Sequence, residues 1–312
     1  MRLVSAAEIA RALTYPDLVE ALRAAFRGAI TAPVRHHHAI ARQGADAILL
    51  LMPAWHDAAA GGFVGVKIVT VFPDNATRAR PSVMGTYLLM AGDSGEPLAA
   101  FDGQALTLWR TAAASALAAS YLARRAAHRM VMVGAGALAP YLIAAHAALL
   151  PIAQVAIWNR DPARAEVLAA RLSRPGLTVM AVADLAAAVR RADIVSTATL
   201  SAEPLVRGEW LQPGAHVDLV GAYTPHMREA DDAAIRRARV FVDTRAGALH
   251  EAGDIVQPIA AGLLREADVA DLHALCRGEA KGRLGDDEIT LFKSVGSAIE
   301  DLAAAALVYS RL

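Results

Sequence analysis

Polar and apolar residues follow two different rhythms along the chain. Residues 1–30 carry apolar positions at helical spacing. Ser5-Ala6-Ala7-Glu8 has the spacing of a capping box ahead of Ile9. Tyr15-Pro16 opens a second helix with Leu18, Leu22 and Phe26 on one face, and Pro33 ends it. Strand-like segments follow at 34–40, 47–52, 65–71 and 82–90, separated by turn signals at 42–44, 57–62, 73–75 and 91–95. That meander spacing predicts a largely antiparallel sheet. Residues 102–115 lead into a long alanine-rich helix ending near Arg125, with Arg110 just where the helix is expected to begin.

From Arg129 the rhythm changes. A short apolar run at 130–133 and further short segments at 155–158, 178–182, 193–197, 216–220 and 240–242 read as strands. Helical segments at 141–150, 162–172 and 183–191 fall between them. Alternation of this kind predicts a parallel sheet with right-handed crossovers. Residues 290–296 read as a strand or loop, and 297–309 as a helix resembling the alanine-rich one near residue 115. The tail is therefore expected to return to the N-terminal part. The predicted fold is α/β: a Rossmann-type, doubly wound parallel sheet (125–286) inserted into an α+β domain (1–124 plus 287–312).

The first strand of the second rhythm ends in Gly134-Ala135-Gly136-Ala137-Leu138-Ala139. Gly134 would permit a tight turn, Gly136 would let backbone approach a pyrophosphate, and Ala139 would let helix and strand pack closely. The helix N-terminus would then offer free N–H groups to phosphate. Alone, such a turn fits any α/β protein; the alternating rhythm gives it weight as a dinucleotide site. The second strand ends in Asn159-Arg160, where an acidic residue would read the adenine ribose. Asn159 carries no charge, and Arg160 can pair with a 2′-phosphate, so NADPH is expected over NADH. Arg160 also suits a turn before Asp161-Pro162, and Asp161 could still reach a ribose hydroxyl and allow NADH.

Composition narrows the classes. Basic and acidic residues number 31 each, so no charge surplus points to nucleic acid. Apolar stretches are about ten residues long, too short for a membrane span. One cysteine, Cys276, excludes an internal disulfide. With no apolar signal core at the start, a cytoplasmic setting is expected. His36-His37-His38 invites a metal reading, but only two of the three share a strand face and no further ligand cluster accompanies them, so no metal is expected.

Asp102-Gly103, Leu106-Thr107, Arg110-Thr111-Ala112-Ala113, Ser115-Ala116, Gly134-Ala135-Gly136, Val220-Gly221-Ala222 and Phe292-Lys293-Ser294-Val295-Gly296 together resemble the ornithine cyclodeaminase/μ-crystallin family. The resemblance covers nearly the whole chain. It implies a homodimer, an N-terminal substrate and dimerisation domain completed by the C-terminal helix, and a substrate held against nicotinamide. The cyclodeaminase pattern has a Glu where Leu50 stands and an Asp where Tyr223 stands. Both acids are missing here, which argues against ornithine cyclisation. Pro33-Val34-Arg35, Ile157-Trp158-Asn159-Arg160, Glu203-Pro204 and Gly208-Glu209-Trp210 resemble the ketimine reductase branch.

The expected activity is thus NAD(P)H-dependent reduction of Δ1-pyrroline-2-carboxylate or Δ1-piperideine-2-carboxylate to L-proline or L-pipecolate. Ornithine cyclodeamination and alanine dehydrogenation are the enzymatic rivals. A non-catalytic NADPH-dependent binding protein is a rival of another class. Lys67 lies in an otherwise apolar strand, where a cation is costly unless it lines a cleft. The resemblance places the active-site lysine there and makes Arg35 and Arg110 the carboxylate-binding arginines. Tyr223 follows a strand end and could face substrate. Thr111, Gly134, Ala135, Gly136, Ala137, Leu138, Asn159, Arg160, Thr197, Ala198, Thr199, Val220, Gly221 and Ser294 are the expected cofactor contacts. Asp301 matches an acidic position of the family's last helix, with capping or a surface role equally open.

Overall fold

The computed structural model describes residues 1–57, 62–78 and 80–312. Residues 58–61 of the predicted turn at 57–62 lie outside them. The chain divides into two compact units: Met1–Arg110 with Ser297–Leu312, and Thr111–Gly296.

In the first unit the chain runs β1 (Arg2–Val4), α1 (Ala6–Ala12), α2 (Tyr15–Arg27), β2 (Ile30–Thr31), β3 (His36–Ile40), β4 (Ala47–His56), β5 (Phe63–Val71), β6 (Val83–Ala91) and β7 (Pro97–Asp102). The long helix α3 (Gly103–Leu122) crosses the division, and the last helix α11 (Ala298–Tyr309) rejoins this unit. The capping box at Ser5 and Glu8 forms as expected. Thr14 caps α2, which buries Leu18, Leu22 and Phe26. Two expectations change. Residues 2–4 form a strand rather than helix, because they pair in parallel with β7. That partner, at 97–102, carries little strand signal in the sequence: its six residues show no polar–apolar alternation.

The sheet order is β1-β7-β6-β5-β4-β2, with β3 also on β4. Every pair except β1–β7 is antiparallel. β4 runs past its expected end through Pro53, which falls between the stretches paired to β3 and to β2. A residue without an N–H is tolerated there. Side chains alternate across the sheet, so Gly65, Lys67 and Val69 share the covered face with Met52, Ala54 and Tyr87. Helix α11 packs on that face against β4, β5 and β6, and also against α2.

The second unit contains β8 (Arg129–Val133), α4 (Ala139–Leu149), β9 (Gln154–Trp158), α5 (Pro162–Leu172), β10 (Thr178–Ala181), α6 (Leu185–Val189), β11 (Ile194–Thr197), β12 (His216–Leu219), α7 (Asp232–Arg237), β13 (Ala238–Val242), α8 (Arg245–Glu251), α9 (Gly253–Ala260), β14 (Ala270–Asp271), α10 (Leu272–Arg277) and β15 (Ile289–Lys293). Its eight strands are all parallel, in the order β10-β9-β8-β11-β12-β15-β13-β14. This is a Rossmann-type sheet. The chain winds one way through β9 and β10 and the other through β11 and β12, so the end of β8 is the topological switch point, where such sheets bind ligands.

The tail departs from the expected division at 286/287. β15 is an interior strand of this sheet, between β12 and β13. All five of its residues are buried, as a strand covered on both faces requires. Only α11, beyond Gly296, belongs with the N-terminal unit.

Candidate active site

In the first unit, two cations meet two carboxylates in the interior. Lys67 of β5 is 3% exposed and Arg110 of α3 is 5% exposed, while Glu300 and Asp301 of α11 are fully buried. Lys67 Nζ lies 2.7 Å from Asp301 Oδ2. Arg110 Nε donates to Asp301 Oδ1 at 3.0 Å, and its Nη1 donates to Glu300 Oε2 at 2.6 Å. Both acids occupy the first turn of α11, behind the Ser297 cap, where the helix dipole also favours them. Opposite charges in this number offset the cost of burial; a lone charge here would not be tolerated.

The network sets the proton affinities. Burial, reinforced by the neighbouring charges of Arg110 and Arg35, pushes Lys67 down to about 8, although Asp301 opposes the shift. Burial works against the charge of Arg110, but Asp301 and Glu300 outweigh it and hold the guanidinium protonated. Burial works against Asp301 as well, and Arg110 and Lys67 outweigh it, so its carboxyl sits below the usual range. Lys67 is thus poised to exchange a proton near neutral pH.

Of the expected substrate residues, Lys67, Arg110 and Arg35 fall in one neighbourhood: Arg35 is half-buried and close enough to depress Lys67. Arg110 sits in the third turn of α3 rather than at its start, since the helix begins at Gly103. Its Nε and Nη1 are committed to the chain's own acids, and Nη2 makes no hydrogen bond to the described residues. Asp301, left open between a cap and a surface role, is at the centre of the network. Glu300, next to Asp301 in the same helix, carries no distinguishing signal in the sequence. Leu50 lies on the Lys67 face of the sheet, with no acid in its place. Tyr223 is 44% exposed in the second unit. His36 and His38 are exposed, with ring centroids 6.4 Å apart. Among the described residues no group of three or more His, Cys, Asp or Glu could hold a metal ion.

In the second unit, Gly134 adopts φ +109°, and a side chain there would meet the carbonyl oxygen of Ala198 at 2.7 Å. The Gly134 N–H donates to Trp158 O, so the turn hugs the end of β9. Asn159 uses both ends of its side chain locally: Oδ1 accepts from Ala135 N and Nδ2 donates to Asp161 O. Arg160 is exposed beside it. The N–H groups of Gly136, Ala137 and Leu138 donate to no described residue, and α4 has no side-chain cap. An added Cβ at Gly136 would meet nothing within 4 Å. Uncapped amides at a helix N-terminus, beside open space, fit a pyrophosphate.

The remaining expected cofactor residues line the neighbouring strand ends or lie behind them. Thr197 is fully buried at the end of β11, and Ala198 and Thr199 follow it. Val220 and Gly221 follow β12. Ser294 follows β15 and its hydroxyl donates to Asp243 Oδ2 at 3.2 Å. The same oxygen accepts from the amides of Val295 and Gly296. Thr111 is buried within α3. Sequence reasoning passed over the acids that hold these loops: Asp243, Glu229 and Asp254. Lys293, inside the buried strand 289–293, gave the same signal as Lys67.

A model of the ornithine cyclodeaminase/mu-crystallin family matches residues 2–312. The chain belongs to that family. It is 40% identical over 298 residues to the Delta(1)-pyrroline-2-carboxylate reductase of Paracoccus denitrificans, covering 95% of this chain and 92% of the relative. The Delta(1)-pyrroline-2-carboxylate reductase of Thermococcus litoralis, solved with NADH and L-proline, superposes with a TM-score of 0.92 at 32% identity, covering 100% of this chain and 97% of that one. An archaeal alanine dehydrogenase dimer with bound NAD gives a TM-score of 0.91 at 28% identity, over 100% of this chain and 95% of that one.

Proposed function

We propose that the chain is an NAD(P)H-dependent reductase of cyclic α-imino carboxylates, forming L-proline from Δ1-pyrroline-2-carboxylate, L-pipecolate from Δ1-piperideine-2-carboxylate, or both. The observation that carries this is the buried cluster in which Asp301 receives both Lys67 Nζ at 2.7 Å and Arg110 Nε at 3.0 Å, a setting whose burial loosens the Lys67 proton to about 8 while the guanidinium stays charged. An imine accepts hydride far better once its nitrogen is protonated, and an ammonium of this strength can supply that proton. Arg110 and Arg35 give the substrate carboxylate its cations, Arg110 through the free Nη2 edge. Asp301 and Glu300 hold Lys67 and Arg110 in place. The absence of an acid at Leu50 and at Tyr223 fits a substrate without a second amine.

A bound dihydronicotinamide supplies the hydride. The amides of Gly136, Ala137 and Leu138 would hold its pyrophosphate, and the residues after β11, β12 and β15 its nicotinamide half. Exposed Arg160 supports NADPH over NADH: an uncompensated guanidinium at the end of β9 suits a 2′-phosphate. A homodimer is supported by the open face of the antiparallel sheet, where Leu49, Leu51, Val64, Val66, Ile68 and Leu88 are half-exposed. Among the described residues no helix is long and apolar enough to cross a membrane.

The test follows nicotinamide absorbance with NADPH and with NADH. The substrates are Δ1-pyrroline-2-carboxylate, Δ1-piperideine-2-carboxylate, and pyruvate with ammonia; ornithine with NAD⁺ is assayed for ammonia release. Oxidation with a cyclic imine is expected. Turnover of pyruvate or ornithine, with neither imine consumed, would replace this reading.

A further inference from the structure

At the carboxyl edge of the Rossmann sheet, one buried carboxylate joins two loops. Glu229 is fully buried. Its Oε1 accepts from the Thr199 amide at 2.7 Å and the Thr199 hydroxyl at 2.8 Å. Its Oε2 accepts from the amides of Gly221 at 2.7 Å and Ala222 at 3.3 Å. One oxygen therefore serves the loop after β11 and the other the loop after β12. The loops are in backbone contact: a Cβ at Gly221 would collide with Thr199 N and O. Glu229 is itself held from two sides. Its own amide and that of Ala230 donate to Asp254 Oδ1. Lys293, the last residue of β15, places Nζ 3.3 Å from Asp254 Oδ2 and 3.9 Å from Glu229 Oε2.

We infer that Glu229 is a positioning residue for the cofactor, setting the spacing of the loops after β11 and β12 through its four acceptor contacts and held in place by Lys293. This rests on the nicotinamide cofactor proposed above. Strand β11 lies directly beside β8, whose end carries the open glycine turn, and β12 follows β11. Ligands of open parallel sheets bind beyond these strand ends. The four donors that Glu229 satisfies belong to residues 199, 221 and 222, so removing an acceptor releases backbone on the binding edge while leaving the strands paired. A role confined to holding the fold together would loosen both units' ligands alike; a positioning role weakens the cofactor alone.

Glu229→Gln separates the two. The amide keeps one acceptor oxygen and size, but its NH₂ group faces two N–H donors in place of an acceptor. The readout is NADPH affinity by nicotinamide fluorescence titration of the enzyme without substrate, alongside circular dichroism and the KM for Δ1-pyrroline-2-carboxylate at saturating NADPH. The dissociation constant is expected to rise roughly tenfold or more, with the imine KM within about twofold of wild type, because unpaired buried donors are costly. Lys293→Gln, which removes the cation holding Glu229, is expected to weaken NADPH by several-fold. NADPH affinity within about twofold of wild type in a folded Glu229→Gln overturns the inference, as does an imine KM that rises as much as the cofactor constant. Should Glu229→Gln not fold, unchanged affinity in Lys293→Gln overturns it. Wild-type enzyme that binds neither NADPH nor NADH would remove the cofactor reading and the inference together; wild-type binding with unaffected variants removes the inference alone.

Discussion

Asp301 Oδ2 lies 2.7 Å from Lys67 Nζ, joining the last helix to the middle of the antiparallel sheet with side-chain exposures of 0% and 4%. The carboxylate raises the lysine's hold on its proton against burial and against the charges of Arg110 and Arg35. Its loss should lower that hold further.

The pH dependence of kcat/KM reports this directly, since it follows groups of the free enzyme. With protonated Lys67 as the proposed proton donor, activity should decline as pH rises through about 8. In Asp301→Asn the decline should move to lower pH, because the attraction that opposed the downward shift is gone. The substrate's own titration is common to both enzymes, so the displacement belongs to the protein. Asp301→Asn also leaves two buried cations with one carboxylate between them, and a fall in stability of about 3–5 kcal/mol is expected from unpairing a buried ion. An unchanged alkaline limb in the folded variant would show that Lys67 is not the titrating acid.

The two glycines of the turn after β8 should behave oppositely. Gly134 has φ +109°, and its missing Cβ makes room for Ala198 O. Gly134→Ala should lower the melting temperature of the ligand-free protein, with strain of about 1–3 kcal/mol before the clash is counted. Gly136 has neither a positive φ nor a neighbour within 4 Å. Gly136→Ala should leave the ligand-free melting temperature in place and weaken NADPH binding, because the methyl group would stand where pyrophosphate approaches. Calorimetry with and without NADPH measures both. Equal melting temperatures for the two ligand-free variants would contradict the division of roles.

The parallel strands were legible because burial on both faces leaves an apolar run in any context, as in Met130–Val133 and Val240–Val242. β1 was not, since three residues gain strand character only from β7 beside them. Lys67 and Lys293 gave the same signal, a cation ending or interrupting an apolar strand. Such a signal says that a charge is buried; it does not say which acid meets it. Arg110 and Asp301 are 191 positions apart. Glu229 follows a turn-rich stretch in which nothing marks it as buried. Paired charges of this kind are a product of tertiary packing, and the sequence shows only one end of each.

Cofactor choice should depend on Arg160. Its guanidinium is exposed and has no ion-pair partner among the described residues, while the neighbouring Asn159 is occupied in holding the glycine turn. Arg160→Ala should therefore cost NADPH one charge-assisted contact and NADH almost nothing. Contacts to a charged group are worth about 1.5–3 kcal/mol, so the KM for NADPH should rise by roughly tenfold or more. Parallel initial-rate series with the two cofactors decide the matter. Equal losses for both would take the 2′-phosphate away from Arg160.

The open face of the antiparallel sheet gives the last expectation. Val66 lies on β5, flanked across the sheet by Pro53 of β4 and Leu88 of β6, and neighbouring Leu51, Val64 and Ile68 share its face. All are half-exposed, whereas the opposite face is sealed by α11. A second copy laid on this face would remove the apolar surface from water at about 25 cal/mol per Å². Val66→Glu would bury a carboxylate in each protomer at that contact without disturbing the Lys67 face, because adjacent strand residues point to opposite sides. Sedimentation velocity should show a dimer for the wild type and a monomer of unchanged circular dichroism for Val66→Glu. A monomeric wild type, or a variant that sediments as the wild-type dimer does, would rule this face out as the interface.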